Sequence, residues 1–297
     1  MASRRMPPEK PAAWYRFRIG DFSAAVVSDG ELTFESATGE FPAAPADEVH
    51  RLLDREFLPN APMVLQENCL VLDTGDKLVL FDTGFGPVPM FGKDSGQFLR
   101  NLAAAGIRPD DIDIVILTHS HPDHAWGLVD KAGNKVFPNA DLFMSRKDFE
   151  FWTDEAKLTD EGAGTFVKGA RRAILPYRDR LHLIEKDTEV LPGISSLWTP
   201  GHTVGHTTFV IESGGETFLN LGDICHHYAL LFPNPRWEYL YDTDSKQAVQ
   251  SRLRIFDMAA TDQMTLLGYH FPFPGIGRIT REKHESYRYV PSHMSFV

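Results

Sequence analysis

The feature that most constrains this chain is a histidine-rich segment directly after a short apolar stretch. Residues 114–117 read Ile-Val-Ile-Leu, which predicts a strand buried on both faces. Residues 118–124 follow as Thr-His-Ser-His-Pro-Asp-His. Alternate side chains of an extended backbone point the same way, so His119 and His121 can share one metal ion. The segment therefore predicts a metal site at the end of a buried strand.

A second pair of donors lies beyond the bend that Pro122 makes in this segment. Asp123 and His124 come after the proline and can face a second metal ion. Nitrogen and oxygen donors packed this densely are best explained by divalent cations. The segment is therefore predicted to serve two metal ions.

Three later segments place further donors near the ends of predicted strands. A glycine-containing loop carries His202 and His206. The apolar run that ends at residue 221 is followed by Asp223, and the last apolar run of the chain precedes His270. Each signal is weak alone, but their joint occurrence at strand ends indicates one shared site.

Composition and charge exclude several classes of protein. The 297 residues are 42% hydrophobic and 24% charged, which is typical of a globular chain and not of a disordered one. Acidic side chains outnumber basic ones by 41 to 30, and the net charge of −11 opposes nucleic-acid binding. Cys69 and Cys225 cannot build a disulfide framework, so a cytoplasmic location is expected. No membrane span or signal peptide is predicted, although a mature secreted or periplasmic form without its leader would look the same.

The chain is predicted to form a single catalytic domain over 13–297, preceded by a flexible N-terminal tail at 1–12. No linker rich in Pro, Gly or Ser divides it. Residues 38–64 are rich in Pro and Ala and differ from their surroundings. They predict an excursion that is either a lid over the core or a surface loop without a role.

Two strand–turn–strand patterns resemble each other and indicate two similar halves. Residues 70–81 lead to Asp82, and residues 208–221 lead to Asp223. The repeat predicts a pseudo-duplicated sandwich in which helices cover two sheets. The other predicted elements are a hairpin at 17–27, helices at 96–105, 147–152, 170–175 and 245–260, and a last buried strand at 265–268.

The order of the donors resembles that of the metallo-β-lactamase superfamily. Residues 119–124 match its HxHxDH motif, and residues 81–84 (Phe-Asp-Thr-Gly) match its first motif. The resemblance spans 82–270 and implies an α/β (α+β) fold, a four-layer αβ/βα sandwich with the metal ions at one edge between the sheets. It also implies that Asp223 bridges two metal ions. The implied ligands of the first ion are His119, His121 and His202, and those of the second are Asp123, His124 and His270.

Two further residues are expected to hold the metal ligands in position. Asp82 is expected to accept a hydrogen bond from a ligand imidazole, and the alternative is that it only opens the turn before Gly84. His206 is expected to have a supporting or structural role and not to be a ligand.

A narrower resemblance lies in the last third of the chain. Residues 222–233 and 268–277 resemble the methyl parathion hydrolase branch, which includes organophosphate hydrolases and relatives that open aryl lactones such as dihydrocoumarin. This implies a hydrolase with two divalent metal ions, zinc first and otherwise manganese, cobalt or iron. Its metal-bridging hydroxide would attack esters, lactones and organophosphate triesters. The expected partner is a small hydrophobic substrate, with neither nucleic acid nor membrane, and a homodimer is implied by analogy.

The catalytic roles remain open at this stage. Asp123 or Asp223 is expected to take or relay the proton. His226 stands where acyl-homoserine lactonases of this superfamily carry a Tyr that assists at the substrate oxygen, so it either donates a hydrogen bond to substrate or only lines the wall. The substrate pocket is predicted to be aromatic, with core packing as the alternative for each candidate. The candidates are Trp126, Trp152, Phe166 and Phe232.

Three other functions compete with this interpretation. A thiolester hydrolase of the glyoxalase II type and a β-lactamase would use the same ligands. A degenerate metal-binding protein on the same scaffold would hold metal without turnover. Serine hydrolases and zincin peptidases are disfavoured, because the chain has neither a G-x-S-x-G nor an H-E-x-x-H motif.

Overall fold

Two β-sheets that pack face to face form the centre of the molecule. The computed structural model describes residues 11–88, 90–283 and 285–294, so the predicted tail at 1–12 lies outside the described residues except for 11 and 12. Within the described part, the first sheet has seven strands in chain order. They are β1 (Trp14–Ile19), β2 (Phe22–Phe34), β3 (Met63–Asp73), β4 (Leu78–Phe81), β5 (Ile114–Ile116), β6 (Asp141–Ser145) and β7 (Leu181–Ile184).

The second sheet, again counted over the described residues, has seven strands in the spatial order β14-β13-β12-β11-β10-β9-β8. The strands are β8 (Thr188–Leu191), β9 (Ile194–Trp198), β10 (Thr207–Ser213), β11 (Glu216–Asn220), β12 (Thr265–Leu267), β13 (Ile276–Arg281) and β14 (Tyr287–Pro291). The helices are α1 (Ala37–Glu40), α2 (Ala46–Arg55), α3 (Phe98–Ala104), α4 (Pro122–Ala125), α5 (Arg146–Trp152), α6 (Gly164–Ile174), α7 (Tyr228–Leu231) and α8 (Ser245–Thr261).

Alternation along the strands builds the layers. On β2, Ala24 and Val26 join the apolar cluster between the sheets, where the rings of Phe81 and Phe209 from opposite sheets lie 5.4 Å apart. The alternating residues Ala25 and Val27 belong to the other cluster, which includes the buried side chains of helices such as α3 and α8. Helices therefore cover the outer faces of both sheets, and the predicted sandwich is confirmed.

The two halves place equivalent turns at one edge of the sandwich. The antiparallel pair β3–β4 leads into a parallel pairing of β4 with β5, and β10–β11 leads into a parallel pairing of β11 with β12. Asp82 follows β4 and Asp223 follows β11. Because carboxyl ends of neighbouring parallel strands meet at the same sheet edge, this topology brings donors from distant segments together.

The excursion at 38–64 is folded onto the body of the molecule. Helix α2 buries Val49, Leu52 and Leu53 and packs against α7. Near the start of the excursion, the backbone carbonyl of Glu40 accepts a hydrogen bond from the N–H of Leu240. A lid function for this segment stays a prediction. None of the helices in the described part of the chain has the length and apolarity needed to span a bilayer.

Candidate metal centre

The histidine-rich segment is anchored to the neighbouring strand by Asp82. Asp82 adopts a left-handed backbone conformation with φ of 59°, which is unusual for a residue other than glycine. Its carboxylate accepts hydrogen bonds from the N–H and the hydroxyl of Thr118, each at 2.8 Å. The carboxylate also lies 2.9 Å from His124 Nδ1. These contacts fix the ring of His124 and hold Asp82 in its strained conformation.

A tight glycine turn brings Asp223 to the same edge. Gly222 has φ of 53°, and a Cβ there would lie 2.7 Å from His206 Nε2, so glycine is required. The N–H of Asp223 donates to His206 Nε2 at 2.9 Å, and the other ring nitrogen of His206 is 2.8 Å from the hydroxyl of Thr199. Both nitrogens of His206 are therefore engaged in holding the backbone, and the structure places this ring behind the donors.

Seven side chains converge at this edge in two sets. Within each set, the donor atoms lie within 4.8 Å of one another. Asp223 stands between the sets, because its Oδ1 is 3.2 Å from His124 Nε2 and its Oδ2 is 3.3 Å from His202 Nε2. The first set contains His119, His121 and His202, and the second contains Asp123, His124, Asp223 and His270.

The buried polar atoms at this edge fit two divalent cations. Among the described residues, Nε2 of His119, His124 and His202 and Oδ1 of Asp223 are buried without a hydrogen-bond partner. Buried polar atoms without a partner are costly, and cations shared between them remove the cost. Nitrogen and carboxylate donors in this number are typical of zinc and related ions.

Burial also sets the protonation of His119 and His121. It holds the pKa of His119 and of His121 well below the ordinary value, and the neighbouring imidazoles lower both further. Neutral imidazole is the form that binds a metal ion. Burial alone would raise the pKa of the Asp223 carboxyl, but the surrounding imidazoles, His270 first, hold it well below its usual range. The carboxylates of Asp223 and Asp242 outweigh burial and raise the pKa of His202 to about 9, so a cation has to displace a proton from this ring.

Hydrogen bonds behind the rings turn Nε2 toward the centre. His202 Nδ1 lies 3.0 Å from the carboxylate of Asp242, and His270 Nδ1 lies 2.9 Å from the carbonyl of Gln66. A proton on Nδ1 in these contacts leaves Nε2 free as a ligand. The sequence reasoning missed Asp242, because it lies in a stretch without a motif and is joined to His202 only by the fold.

A narrow cavity of about 30 Å³, open to solvent, lies over the centre. Of the four aromatic residues predicted to line a substrate pocket, Phe166 lines it. Trp152 is buried behind the site, with its ring 5.2 Å from that of His121. The cavity wall is largely aromatic and apolar, and sequence reasoning missed most of it because no local pattern marks it. The missed wall residues are Leu32, Phe34, Phe91, Tyr239 and Tyr241.

Two of the pocket predictions are corrected by the structure. Trp126 packs edge-on against Phe85, with ring centroids 5.9 Å apart, and belongs to the core. Phe232 is fully buried and packs against Phe256 at 4.6 Å. Both side chains belong to the larger apolar cluster, which also contains the buried side chains of the helices.

His226 is the remaining predicted site residue. It lines the cavity, and its Nε2 lies 3.2 Å from Asp223 Oδ2. Burial lowers the pKa of His226 to about 4, so the ring is neutral near pH 7 and carries one N–H. Together with His202 and Asp223 it forms a third group of close donors.

Comparison with known proteins agrees with the fold. The family profile described as the metallo-beta-lactamase superfamily matches residues 62–261. The chain therefore belongs to this superfamily. Its similarities within the superfamily are to lactonases and related hydrolases.

Two solved structures match nearly the whole chain. AidC, a dizinc quorum-quenching lactonase in complex with a product N-hexanoyl-L-homoserine, is 27% identical, with a TM-score of 0.89 over 96% of this chain and 98% of its own. The hydrolase AbOPH in the beta lactamase superfamily is 31% identical, with a TM-score of 0.90 over 97% of this chain and 100% of its own.

Curated sequences give a more partial match. The N-acyl homoserine lactonase AiiA of Bacillus thuringiensis subsp. kurstaki is 29% identical over 181 residues, which cover 55% of this chain and 65% of the relative. The chain thus spans slightly less than two thirds of the length of this relative. A probable metallo-hydrolase of Mycobacterium tuberculosis is 25% identical over 225 residues, which cover 64% of this chain and 67% of the relative.

Proposed function

We propose that this protein is a two-metal hydrolase that opens neutral lactones with an apolar acyl chain, such as N-acyl homoserine lactones. The observation that carries the proposal is a seven-donor centre that opens into an aromatic cavity. The similarity to the lactonases AidC and AiiA supports the same substrate class.

The charge of the cavity separates this function from its rivals. Among the described residues that line it, none is Lys or Arg. Penicillin-type and glutathione-type substrates carry carboxylates, which favour a cationic partner in the site. A neutral lactone needs none. The cavity therefore favours a lactonase over a β-lactamase or a glyoxalase II-like thiolester hydrolase.

The metal ions and the protein residues would divide the chemistry. The residues that would hold the ions are His119, His121, His202, Asp123, His124, Asp223 and His270. When bound, two divalent cations lower the pKa of water and polarise the carbonyl group of the substrate. The acidic and imidazole side chains that reach the cavity then have to move protons and orient the lactone.

Asp123 is assigned the proton transfer. Its side chain lines the cavity and is 11% exposed, against 3% for Asp223. It can take the proton of the attacking water on a carboxylate oxygen and deliver it to the ring oxygen that leaves as the C–O bond breaks. Water and lactone thereby become a hydroxy acid. His226 is assigned to donate its single N–H to the substrate oxygen on which charge develops.

The proposal is tested with N-hexanoyl homoserine lactone and zinc-loaded protein. The readout is the hydroxy acid, measured by acid release and by mass. We expect turnover by the wild type and its loss, with lower zinc content, in Asp223→Ala. The control is His182→Ala, which removes an exposed histidine outside the centre and should retain full turnover. A zinc-loaded wild type that opens no lactone would overturn the proposal.

Neutral aryl phosphate triesters are a second candidate, because the segment 268–277 resembles that of organophosphate hydrolases. Phe271 from this segment packs in the core beside the centre, and His270 faces it. A phosphate triester carries no charge, so the same cavity could admit it. Parallel assays with a 4-nitrophenyl phosphate triester, a thiolester of glutathione and a cephalosporin rank the four substrate classes.

A further inference from the structure

Asp148 in α5 is a buried carboxylate that belongs to neither donor set. It is fully buried, and both of its oxygens accept hydrogen bonds from backbone N–H groups. Oδ2 accepts from Ser120 at 2.8 Å, and Oδ1 accepts from Gly205 at 2.7 Å. A buried carboxylate is costly unless it is paired in this way, so its presence indicates a specific role.

The two N–H groups come from the two loops that carry the first donor set. Ser120 lies between His119 and His121, and Gly205 follows His202 by three residues. At the base of these loops, the N–H of Thr207 donates to the carbonyl of Thr118 at 2.9 Å. Asp148 adds a second tie near the loop tips, where the histidines are.

The local sequence is adapted to this tie. A Cβ at Gly205 would lie 2.5 Å from the backbone nitrogen of Asp148, so only glycine lets the loop approach α5 this closely. The same helix contacts the ring of His121 through Trp152. Helix α5 therefore supports this half of the centre from two positions.

We propose that Asp148 is a positioning residue that sets the spacing of His119, His121 and His202 and thereby the cation affinity of that half of the centre. The inference rests on the proposed function only in assuming a two-cation centre. In Asp148→Asn, the side-chain amide has one acceptor oxygen. Its NH2 group would therefore face one of the two backbone N–H donors and could not accept from it. Loss of one tie would let the two loops separate, and substitutions behind metal ligands typically weaken metal binding by about 10- to 100-fold.

The experiment compares zinc retention in Asp148→Asn and Asp29→Asn. Asp29 is a matched control, because it is also buried and accepts backbone N–H groups from Phe85, Gly96 and Phe98, none of which is a donor residue. Zinc-loaded protein is titrated with a chromophoric chelator, and the zinc remaining per chain is measured. We expect Asp148→Asn to release one zinc at about 10- to 100-fold lower chelator concentration than the wild type, whereas Asp29→Asn matches the wild type.

The ¹⁵N NMR resonances of the histidine side chains show which of the two ions is released. In half-depleted Asp148→Asn, the ¹⁵N resonances of His121 should move to their metal-free positions while those of His270 stay. The proposal is overturned if both ions leave together at the wild-type concentration, or if Asp29→Asn shows the same selective loss.

A second variant, Asp148→Glu, tests the proposal if Asp148→Asn does not fold. Asp148→Glu keeps both acceptor oxygens and moves them by one methylene, so it should also lose one zinc selectively. Wild-type retention of both ions in Asp148→Glu, with Asp148→Asn unfolded, overturns the proposal. The readout uses no substrate, so a wild type that holds two zinc ions without opening lactones would contradict the proposed function alone.

Discussion

The imidazole of His226 stacks on the phenol ring of Tyr239, with ring centroids 3.7 Å apart and the planes inclined by 21°. Tyr239 in turn packs against Phe41 from the excursion at 38–64, with ring centroids 5.3 Å apart. The stack fixes the plane of His226 above Asp223. A neutral ring held in this way can present its N–H in one direction, as the proposed role requires.

Replacement of His226 by Phe tests that role. The variant His226→Phe keeps the aromatic stack but removes the N–H, so we expect kcat for the lactone to fall by about 100-fold while two zinc ions are retained. Steady-state kinetics and zinc analysis measure the two effects. In the control Tyr239→Phe the stack and the N–H both remain, and we expect kcat within about threefold of the wild type on the same grounds. An unchanged kcat in His226→Phe would show that this side chain only lines the wall.

Asp82 should control the cation affinity of the second donor set, whereas Asp148 is proposed to control that of the first. In Asp82→Asn, the amide loses one of the acceptor oxygens that serve Thr118 and His124. We expect the affinity for one zinc to fall by about 10- to 100-fold. Chelator titration followed by ¹⁵N spectra of the imidazoles measures this, and the released ion should free His270 and leave His121 bound. Selective release from His121 would contradict the assignment.

The aromatic wall should select for acyl-chain length. Phe34 lines the cavity and packs against Phe91, with ring centroids 5.2 Å apart. Each buried methylene contributes about 0.8 kcal/mol, so Phe34→Ala should lower kcat/KM for a hexanoyl lactone more than for a butanoyl lactone. Phe232→Leu is the control, since this core side chain should change thermal stability and not the ratio of the two kcat/KM values. Equal losses on both substrates in Phe34→Ala would place the acyl chain elsewhere.

Glu40 should make stability depend on pH. Burial raises the pKa of this carboxyl from 4.5 to about 7, and its Oε2 has no hydrogen-bond partner among the described residues. The unfolded chain therefore releases this proton at a lower pH than the folded chain does. The free energy of unfolding should fall as the pH rises from about 4.5 to about 7 and stay lower above that range.

Glu40→Gln removes this dependence. We expect the variant to be more stable than the wild type by about 1–2 kcal/mol at pH 8 and to lose that advantage at pH 5. Urea denaturation at the two pH values measures it. Glu35→Gln, at an exposed neighbouring position, should show no such difference. A variant that is less stable than the wild type at pH 8 would mean that the charged Glu40 has a partner in solution.

Much of the fold could be predicted from local pattern. Alternating apolar residues predicted the strand–turn–strand patterns, because a strand with one buried face repeats every two residues. A continuous apolar run predicted the strand before His119, which is buried on both faces. The strand β2 continues to Phe34, beyond the predicted hairpin, because its second part pairs with β3 across a distance in sequence that no local pattern records. Helix α6 likewise begins at Gly164, earlier than predicted, where tertiary packing and not propensity sets its start.

The chemistry of the centre was encoded in the sequence alone, because metal donors belong to few residue types and occur here at strand ends with short, regular spacing. Asp82, His119 and Asp223 could therefore be named before any fold was known. The partners of those donors were decided only by the tertiary structure. Asp148 contacts Ser120 and Gly205, and Asp242 contacts His202, all far along the chain. Trp126 and Phe232 differ from Phe166 only in which layer they face. Packing between distant elements fixes such contacts, and a one-dimensional pattern does not contain them.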